Sequence, residues 1–591
     1  MKRILMLFSL LLLTGTLVIA QTVQITGTVT SSEDGLPVPG VSVIVKGTTL
    51  GALTGIDGRY VLSVPANSQT LMFSFIGFRT QEVVIAGKTK IDVTLQQDVF
   101  KVDEVVVVAY GTQQKRDLTG SVASVKGDAI KNTPVQSFDQ ALQGKAAGVA
   151  ITLPNGVLNN PPIIRIRGYN SISGSSFPLV VVDGVPIATG NFGITASTNA
   201  LSDINPSDIA SMDILKDASA TALYGSRAAN GVILITTKHG AGGKTKVTYD
   251  GYVGLTEPYH VFKVMNAAQY IDEKNAARIN MLGPNASLIT QLTDANGNPI
   301  STNWADKVYR TGFQHNHAIT ISGSTALTNY FLSVGYSDQQ GIVRSNNFTR
   351  KNARLNIDHK VNNYLKIGAN IGYTNGYNTS PQVGADYATA ASARLAFVIP
   401  PVLPVYNNDG TLNIYQAGIG GEGEPFGNLG YPNPVVVLKE NKFTSETDRL
   451  LTTLYASITP FKGLELKTQY GIDDLTSETT FYYSPINGDG QSLNGDVGGQ
   501  IRKFRRWNWS NTANYTTILA EKYNIGLLAG VEEQRTLDNA SSYEKYNVND
   551  PFFKTYQGSW TNVAMGGGSM GENYYISYFG RANFNFNKKY F

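Results

Sequence analysis

Residues 364–376 read YLKIGANIGYTNG. In an extended chain successive side chains point to opposite faces. Leu365, Ile367, Ala369, Ile371 and Tyr373 therefore share one face, and Lys366, Gly368, Asn370, Gly372 and Thr374 the other. The pattern recurs. In NYFLSVGYS (329–337), Tyr330, Leu332, Val334 and Tyr336 oppose Phe331, Ser333, Gly335 and Ser337. In LELKTQYGID (464–473), Leu464, Leu466, Thr468, Tyr470 and Ile472 oppose Glu465, Lys467, Gln469, Gly471 and Asp473. Each segment runs to about ten residues, apolar with aromatics toward the ends on one side, polar or glycine on the other. Short turns such as Pro460-Phe461-Lys462-Gly463 alternate with long polar loops such as 377–445. A soluble, half-exposed sheet has the same period. The loop asymmetry favours a transmembrane β-barrel over 245–591, with lipid outside, a wet lumen and aromatic girdles at the interfaces. A closed barrel also satisfies its backbone without an edge, as lipid demands.

The N-terminus agrees. Residues 1–21 read MKRILMLFSLLLLTGTLVIAQ. Lys2 and Arg3 form a basic start, Ile4 to Leu13 an apolar core, and Val18-Ile19-Ala20 a small-residue cut before Gln21. This reads as a secretory signal over 1–20. An anchor helix is disfavoured, because the apolar run is short and Thr14-Gly15-Thr16 interrupts it. The 591 residues carry 48 Lys+Arg against 44 Asp+Glu, so net charge gives no argument for a nucleic-acid partner. Charged residues are 16%, below the usual quarter, while 60 Gly, 31 Tyr and 24 Phe suit many strands and turns. The absence of Cys excludes disulfides, thiolate metal sites, cysteine nucleophiles and a lipid-modified N-terminal Cys.

Between signal and barrel lie two further units. Residues 22–97 alternate apolar and polar residues between turn signals, with Asp57-Gly58 reading as a hairpin turn, and predict a small β-sandwich. It resembles the carboxypeptidase-regulatory-like module, which is non-catalytic. Residues 114–240 predict a mixed α/β unit. PVQSFDQALQGKAAGV suggests a short helix with a Ser/Asp start, and PLVVVDGVPI a strand ending at Asp183-Gly184. NPSDIASMDILKDASATALYGSRAANGVILITTKHG reads as helix, strand, helix, then a strand over Val232–Thr237. Gly225 is expected to close the second helix and Gly231 to allow a tight turn into the last strand.

One stretch lacks a place in either unit. VDEVVVVAYGTQ (102–113) holds four consecutive valines, with no recognisable hairpin turn on either side. It predicts an unpaired, strongly β-prone peptide.

An exported sandwich, a lone β-prone peptide, an α/β unit and barrel strands, in that order, resemble the SusC/RagA-type TonB-linked outer-membrane proteins. The resemblance covers essentially the whole mature chain. It is carried by DEVVVVAYGTQQKRDLTGSVASV (103–125), IRIRGYNSI (164–172), PLVVVDGVPI (178–187) and LKDASATALYGSRAANGVILITTKHG (215–240). It implies that 101–112 is the TonB box, with Asp103, Glu104, Val105, Val106, Val107 and Val108 as its central residues. An inner-membrane energy transducer, TonB, captures that box by strand addition in the periplasm. Such capture draws affinity from main-chain hydrogen bonds and suits an extended β-branched peptide. Asp103 and Glu104 would discourage promiscuous pairing. The plug would begin at Lys115, Arg116 and Asp117. Its motif residues are Arg165, Arg167, Gly168, Asp183, Gly184, Lys216, Asp217, Tyr224, Gly225, Arg227 and Gly231. The resemblance further implies a plug that seals the barrel until it is pulled, a SusD-like surface lipoprotein as partner, glycan or peptide as cargo, and no cofactor. Trp304, Trp507, Trp509 and Trp560 are candidates for stacking on sugar, with Trp507 and Trp509 favoured as girdle residues.

Rival readings find less support. GAGGKT (240–245) is no phosphate-binding loop, since Lys238 stands where the first glycine belongs. His315 and His317 share a strand face, but no third metal ligand is apparent. Neither a nucleophile elbow nor a paired-carboxylate frame stands out, so an enzyme is not expected. A non-transporting adhesin would need no TonB box. A TonB-linked signalling receptor would carry an α/β signalling domain where 22–97 reads as a sandwich. Enclosing a plug needs about 22 strands, and the residues after 245 supply about eight to twelve. Lys589, Asn587 and Asn585 share a face with Phe591, unlike an apolar terminal strand. The chain is therefore expected to stop partway round the barrel, unable as it stands to close, insert or transport.

Overall fold

The computed structural model describes residues 22–586, apart from 33–34, 67, 76–77, 97–104, 109–110, 115–119, 132, 134, 173–174, 383–390, 421–429, 521 and 565. The expected signal, Asp103, Glu104, the plug start at 115–117 and Phe591 lie outside the described residues. The chain divides into two units, Met1–Glu104 and Val105–Phe591.

The first unit holds β1 (Thr22–Ser31), β2 (Ser42–Val45), β3 (Gly51–Leu53), β4 (Arg59–Pro65), β5 (Thr70–Ser74), β6 (Gln81–Val84) and β7 (Val93–Leu95). Two sheets, ordered β4-β1-β7 and β3-β2-β5-β6, share one core. Strand alternation turns Ile25 and Val29 inward from the first sheet and Val43, Leu71 and Phe73 from the second. Tyr60 is buried among them and donates its hydroxyl to the Ile91 carbonyl at 2.9 Å. Asp57-Gly58 does make a turn, with Gly58 at φ +70. That turn joins β3 of one sheet to β4 of the other, so it is a crossing between sheets and not the expected hairpin.

The second unit begins with β8 (Val105–Val108) and β9 (Gly111–Gln114). The plug follows as β10 (Val122–Lys126), β11 (Val149–Thr152), β12 (Ile163–Ile166), β13 (Leu179–Val182), β14 (Val185–Pro186), β15 (Ile209–Leu215) and β16 (Val232–Thr237). Its main sheet runs β10-β15-β16-β13-β14, with β13 parallel to β16 and the other pairs antiparallel. Valines and isoleucines of β13, β15 and β16 are buried on both sides, so these strands lack alternation. The short helix Phe138–Ala141 starts after Ser137, whose side chain makes no capping bond. Helical turns span Ala218–Ala228, but Gly225, at φ 63 and ψ −152, breaks them from within. Gly225 is thus a kink and not the terminator expected, since helical turns resume after it. Gly231, at φ +86, matches the expected tight turn; a Cβ there would sit 2.7 Å from Ile166 Cδ1.

Among the described residues eleven strands follow: β17 (Lys246–Thr256), β18 (Gly312–Ser324), β19 (Thr328–Gln340), β20 (Asn347–Lys360), β21 (Leu365–Ser380), β22 (Lys442–Phe461), β23 (Leu464–Tyr483), β24 (Asp496–Leu519), β25 (Tyr523–Val548), β26 (Trp560–Val563) and β27 (Gly567–Phe586). From β17 to β25 each pairs antiparallel with the next, and β26 and β27 share the far edge of β25. Among the described residues β17 does not pair with β27, so this large antiparallel sheet is open. Connections at one end are short (325–327, 361–364, 462–463), while those at the other include 257–311 and 381–441.

The burial pattern is inside out. On β19, Ser333 and Ser337 are 1% and 2% exposed, whereas Leu332, Val334 and Tyr336 are 39%, 55% and 38% exposed. The same inversion holds on β21, with Asn370, Thr374 and Asn378 buried and Ile367, Ile371 and Tyr373 exposed. A sheet standing in water would reverse this. Its apolar face belongs against lipid and its polar face against the plug. No helix among the described residues is long and apolar enough to cross a membrane.

The long loops fold on a core of their own. Trp304, 2% exposed, packs with Leu395, Ile399, Val402 and Leu403, and its indole nitrogen donates to the Pro400 carbonyl at 3.0 Å. Trp304 is therefore structural and cannot offer its face to a sugar. Trp507 stacks on Tyr470 on the outward face, as a girdle residue does. Trp509 is 44% exposed on the same face.

Candidate functional site

The valine segment is not alone. Val105 to Val108 pair antiparallel with Gln114 to Gly111, in register Val105↔Gln114 through Val108↔Gly111. The expectation of an unpaired peptide is corrected: β8 and β9 form a ribbon joined by the two residues 109–110. Two residues suffice for a hairpin connection, but Ala109-Tyr110 lacks the Asn-Gly or Asp-Gly that flags one. The ribbon is a two-stranded sheet, so among the described residues each strand keeps one edge without a sheet partner. It runs close to β15 and β16. Ribbons of this length are marginally stable in water.

The plug motifs fall into two groups. One holds the plug together. Arg167, at φ 59, ion-pairs with Asp217. The other oxygen of Asp217 accepts the Ser121 amide at 2.6 Å. That amide and the Arg167 guanidinium hold the Asp217 carboxyl below its ordinary range. Lys216 donates to the Ala147 carbonyl at 3.0 Å, and Arg165 lies over the Tyr169 ring at 3.8 Å. Gly168, at φ +103, supplies backbone freedom beside Arg167. Tyr224 is buried in a small apolar cluster with Leu215 and Val232.

The second group meets the barrel wall. Asp183 and Gly184, both at positive φ, form the two-residue turn between β13 and β14. The Asp183 carboxylate accepts the Thr237 amide at 2.9 Å and hydroxyl at 2.7 Å, tying two plug strands together. The Asp183 carbonyl accepts from the Gln469 side chain of β23 at 3.2 Å, and the Gly184 carbonyl from Asn508 of β24 at 3.3 Å. A Cβ on Gly184 would run into the Gln469 amide. Arg227 reaches across to β25, pairing with Glu532 at 2.9 Å and donating to Gln534 at 2.5 Å.

No short motif announced the rest of the seal. Arg449 of β22 is 2% exposed; it grips Asp473 of β23 with Nε and Nη2 at 2.8 and 2.9 Å and donates Nη1 to the plug carbonyl of Ala200. Plug residue Asp203 lies 3.7 Å away. Burial pushes the Asp203 carboxyl up to about 6, with Arg449 and Thr447 opposing. Arg354 of β20 stands 3.7 Å from both Asp183 and Asp208. Burial likewise raises the Asp208 carboxyl, against Arg354 and a 2.6 Å bond from Ser333. Arg350 donates to the plug carbonyls of Gln136 and Ser202 at 2.9 and 2.8 Å. At the junction from plug to barrel, His239 contacts Asp358 at 3.0 Å. Burial works against the imidazolium, but the hydrogen bond and charge of Asp358 outweigh it and hold the imidazole above its ordinary value. The side chains on the wall come from inward positions of their strands, which alternate with the outward ones.

This is a seal of hydrogen bonds and ion pairs, supplemented by contacts such as Phe192 with Phe504 at 5.8 Å. Polar seals of this kind rehydrate when broken, so a plug so held is separable in a way that a dry apolar core is not. The histidine pair plays no part in it. His315 and His317 lie 5.2 Å apart on the outward face of β18, beside Tyr249 and Tyr336. Among the described residues no three His, Asp or Glu side chains are placed to hold a metal.

A polar-lined sheet, apolar on its outer face, bonded to an α/β plug defines part of a plugged membrane β-barrel. Comparison with known proteins carries this further. The family model described as TonB-dependent Receptor Plug Domain matches residues 114–232, and that of the CarboxypepD_reg-like domain matches 25–107. The TonB-dependent receptor P3 of Formosa agariphila is 33% identical over 99% of this chain and 55% of its own length. The TonB-dependent receptor SusC of Bacteroides thetaiotaomicron is 38% identical over 66% of this chain and 37% of its own. The RagAB peptide importer in its open-open state superposes with a TM-score of 0.69 at 26% identity, over 82% of this chain and 55% of that one. The chain belongs to the TonB-dependent receptors of the SusC/RagA type, a family of outer-membrane proteins. It spans about half the length of the curated relatives that it matches, P3 and the TonB-dependent receptor P26 of the same organism.

Proposed function

We propose that this chain is part of a TonB-dependent importer of glycans or peptides that works with a SusD-like surface lipoprotein. The observation that carries the reading is the polar, ion-paired plug seated against the inner face of an apolar-outward sheet, with a short two-stranded ribbon beside it. In this reading 22–97 and the TonB box at 101–112 lie in the periplasm, 114–240 is the plug and 245–591 the barrel portion. The energy transducer adds a strand to the open edge of β8, or displaces β9 and takes its place; main-chain hydrogen bonds then share the load along the strand. Force on the ribbon, which lies beside β15 and β16, reaches the central strands of the plug sheet directly. The ion pairs at Arg449, Arg354 and Arg227 then have to yield in turn. Peptide as cargo is supported by the likeness to the RagAB peptide importer, and glycan is what the resemblance of the sequence implies. No side chain is assigned a catalytic role.

Deleting Val105–Val108 from the full-length gene tests this. Growth on the cognate glycan or peptide should be lost while cargo binding at the cell surface persists. Uptake that survives the deletion refutes the energy-coupling role.

A further inference from the structure

The inner face of the wall carries a group of acids, at the end of the long loops, that the plug seal does not use. Tyr483 closes β23 and pairs directly with Asp496, which opens β24. Glu544 of β25 lies diagonally beside Asp496, opposite Gly498. Alternation puts Tyr483, Asp496 and Glu544 on the inward face, in step with Asp473 on β23, Arg506 on β24 and Glu532 on β25, which meet the plug. The connection after Tyr483 folds back on it: a Cβ on Gly490 would stand 2.7 Å from the Tyr483 Cβ. This return brings the exposed Asp489 to the same ring. The charges of Asp489, Asp496 and Glu544 all act on the Tyr483 hydroxyl.

The charge of this group is not balanced. Among the described residues no positive charge acts on Asp496 or on Tyr483, and the charge that does act on Asp496 is that of Glu544, which repels it. Asp496 is 8% exposed, and its Oδ1 has no hydrogen-bond partner among the described residues. Gln382, 6% exposed, donates its side-chain amide to Asp489, and its own Oε1 is left without a donor. The basic residues that come next along β24 and β25 are engaged elsewhere. Arg502 is held by Asp538 at 2.6 Å, and Lys545, on the outward face, lies over the Tyr556 ring at 4.0 Å. The stretch that follows Gln382 in sequence, VGADYATA (383–390), contains no lysine or arginine. Acceptors and negative charge are therefore in excess. Beside them the half-buried Tyr483 ring is flanked by Phe443 at 5.1 Å and Phe481 at 5.5 Å.

We propose that this site binds a basic side chain of a peptide cargo, arginine above all, between the carboxylates and the Tyr483 ring. Asp489 and Glu544 present the accessible oxygens, and the buried Asp496 adds its charge from within the wall. A cation relieves the repulsion between Asp496 and Glu544, and its N–H groups supply the donors that the site lacks. A guanidinium also forks onto a carboxylate while its plane lies on an aromatic ring, which the ammonium of an amino sugar cannot do. A neutral sugar would leave the repulsion uncompensated. A bare metal ion fits less well, since no three acids among the described residues are placed to ligate one. The inference rests on the import reading and narrows its cargo to peptides that carry a basic residue.

The test uses the full-length protein, purified in detergent, and two pentapeptides capped at both ends: Ala-Ala-Arg-Ala-Ala and its analogue with citrulline, the neutral isostere, in place of arginine. Affinities are taken by isothermal titration calorimetry. The arginine peptide should bind about tenfold more tightly, the low end for a charge-assisted contact. Asp496→Asn/Glu544→Gln should abolish that preference and keep the citrulline affinity, which shows the variant to be folded. Glu478→Gln, on the outward face of β23, should leave the preference unchanged. Equal affinity of the unsubstituted protein for the two peptides, or a preference that survives in the double variant, overturns the proposal and leaves the import reading standing. Calcium chloride that displaces the arginine peptide at matching concentration assigns the site to a metal ion and overturns the peptide. So does a chitosan oligomer that binds more tightly than the arginine peptide, which assigns the site to amino sugars. Charge-selective binding together with uptake that survives deletion of Val105–Val108 would instead keep the site and sink the energy-coupling reading.

Discussion

Replacing Arg449 by Ala should loosen the plug without unravelling the barrel. The side chains of Arg449, Asp473 and Asp203 are 2%, 0% and 1% exposed. Removing the guanidinium leaves two carboxylates in a site closed to water and deletes the donor to the Ala200 carbonyl. Breaking a buried pair by deleting one partner costs about 3–5 kcal/mol. Asp203, already pushed up to about 6, relieves part of that by taking a proton, so the low end applies. About 3 kcal/mol is roughly a hundredfold shift toward the displaced plug. Hydrogen exchange read by mass spectrometry on the full-length protein should show amides of 196–205 exchanging about a hundred times faster, with those of β21 and β22 unaltered. Arg449→Met/Asp473→Asn should recover much of the loss. It removes both members of the Arg449–Asp473 pair, leaves Asp203 as the one remaining acid, which can take a proton, and keeps an amide oxygen where Asp473 accepts the Ala188 amide at 2.7 Å. Unchanged exchange in 196–205 for the single variant, or a double variant worse than the single, refutes the argument from uncompensated charge.

Three further outcomes follow from the same structure. Gly184→Ala should cost about 1–2 kcal/mol in protection of the 179–187 hairpin, from its φ of +83, plus the displacement of Gln469; adding Gln469→Ala should recover only the second part. Trp304→Ala should cost about 3–5 kcal/mol within the loop core and open 257–311 to limited proteolysis, while cargo-independent barrel properties such as heat-modifiable mobility stay unchanged. The raised Asp203 carboxyl means that the folded state binds a proton more tightly than the unfolded one. Its contribution is therefore full below the ordinary carboxylate range and is lost as pH rises to about 6, a loss of about 3 kcal/mol; Asp203→Asn should flatten that slope in plug hydrogen exchange measured between these limits.

The sequence reading succeeded where the governing rule is local. Period-two alternation over 329–337, 364–376 and 464–473 placed strands that the structure contains, with the faces assigned correctly. It went astray where a local rule was incomplete. Val105–Val108 pairs with Gly111–Gln114 because two ordinary residues can close a hairpin, and only the stronger turn signals are visible as letters. Gly225 permits a positive φ, but a glycine does not say whether the helix resumes after it. Trp304 is an aromatic in a polar loop and gives no sign that three distant loop segments will bury it.

Sequence alone thus determined which side chains share each face of the sheet, because a two-residue repeat fixes that whatever the strand packs against. Tertiary structure alone decided which inward polar side chains form the seal. Arg449 meets Ala200 and Asp203, and Arg227 meets Glu532, across more than two hundred intervening residues. Such pairings depend on how the plug sits against the wall, and a charge carries no mark of its partner until the fold brings the two out of water together.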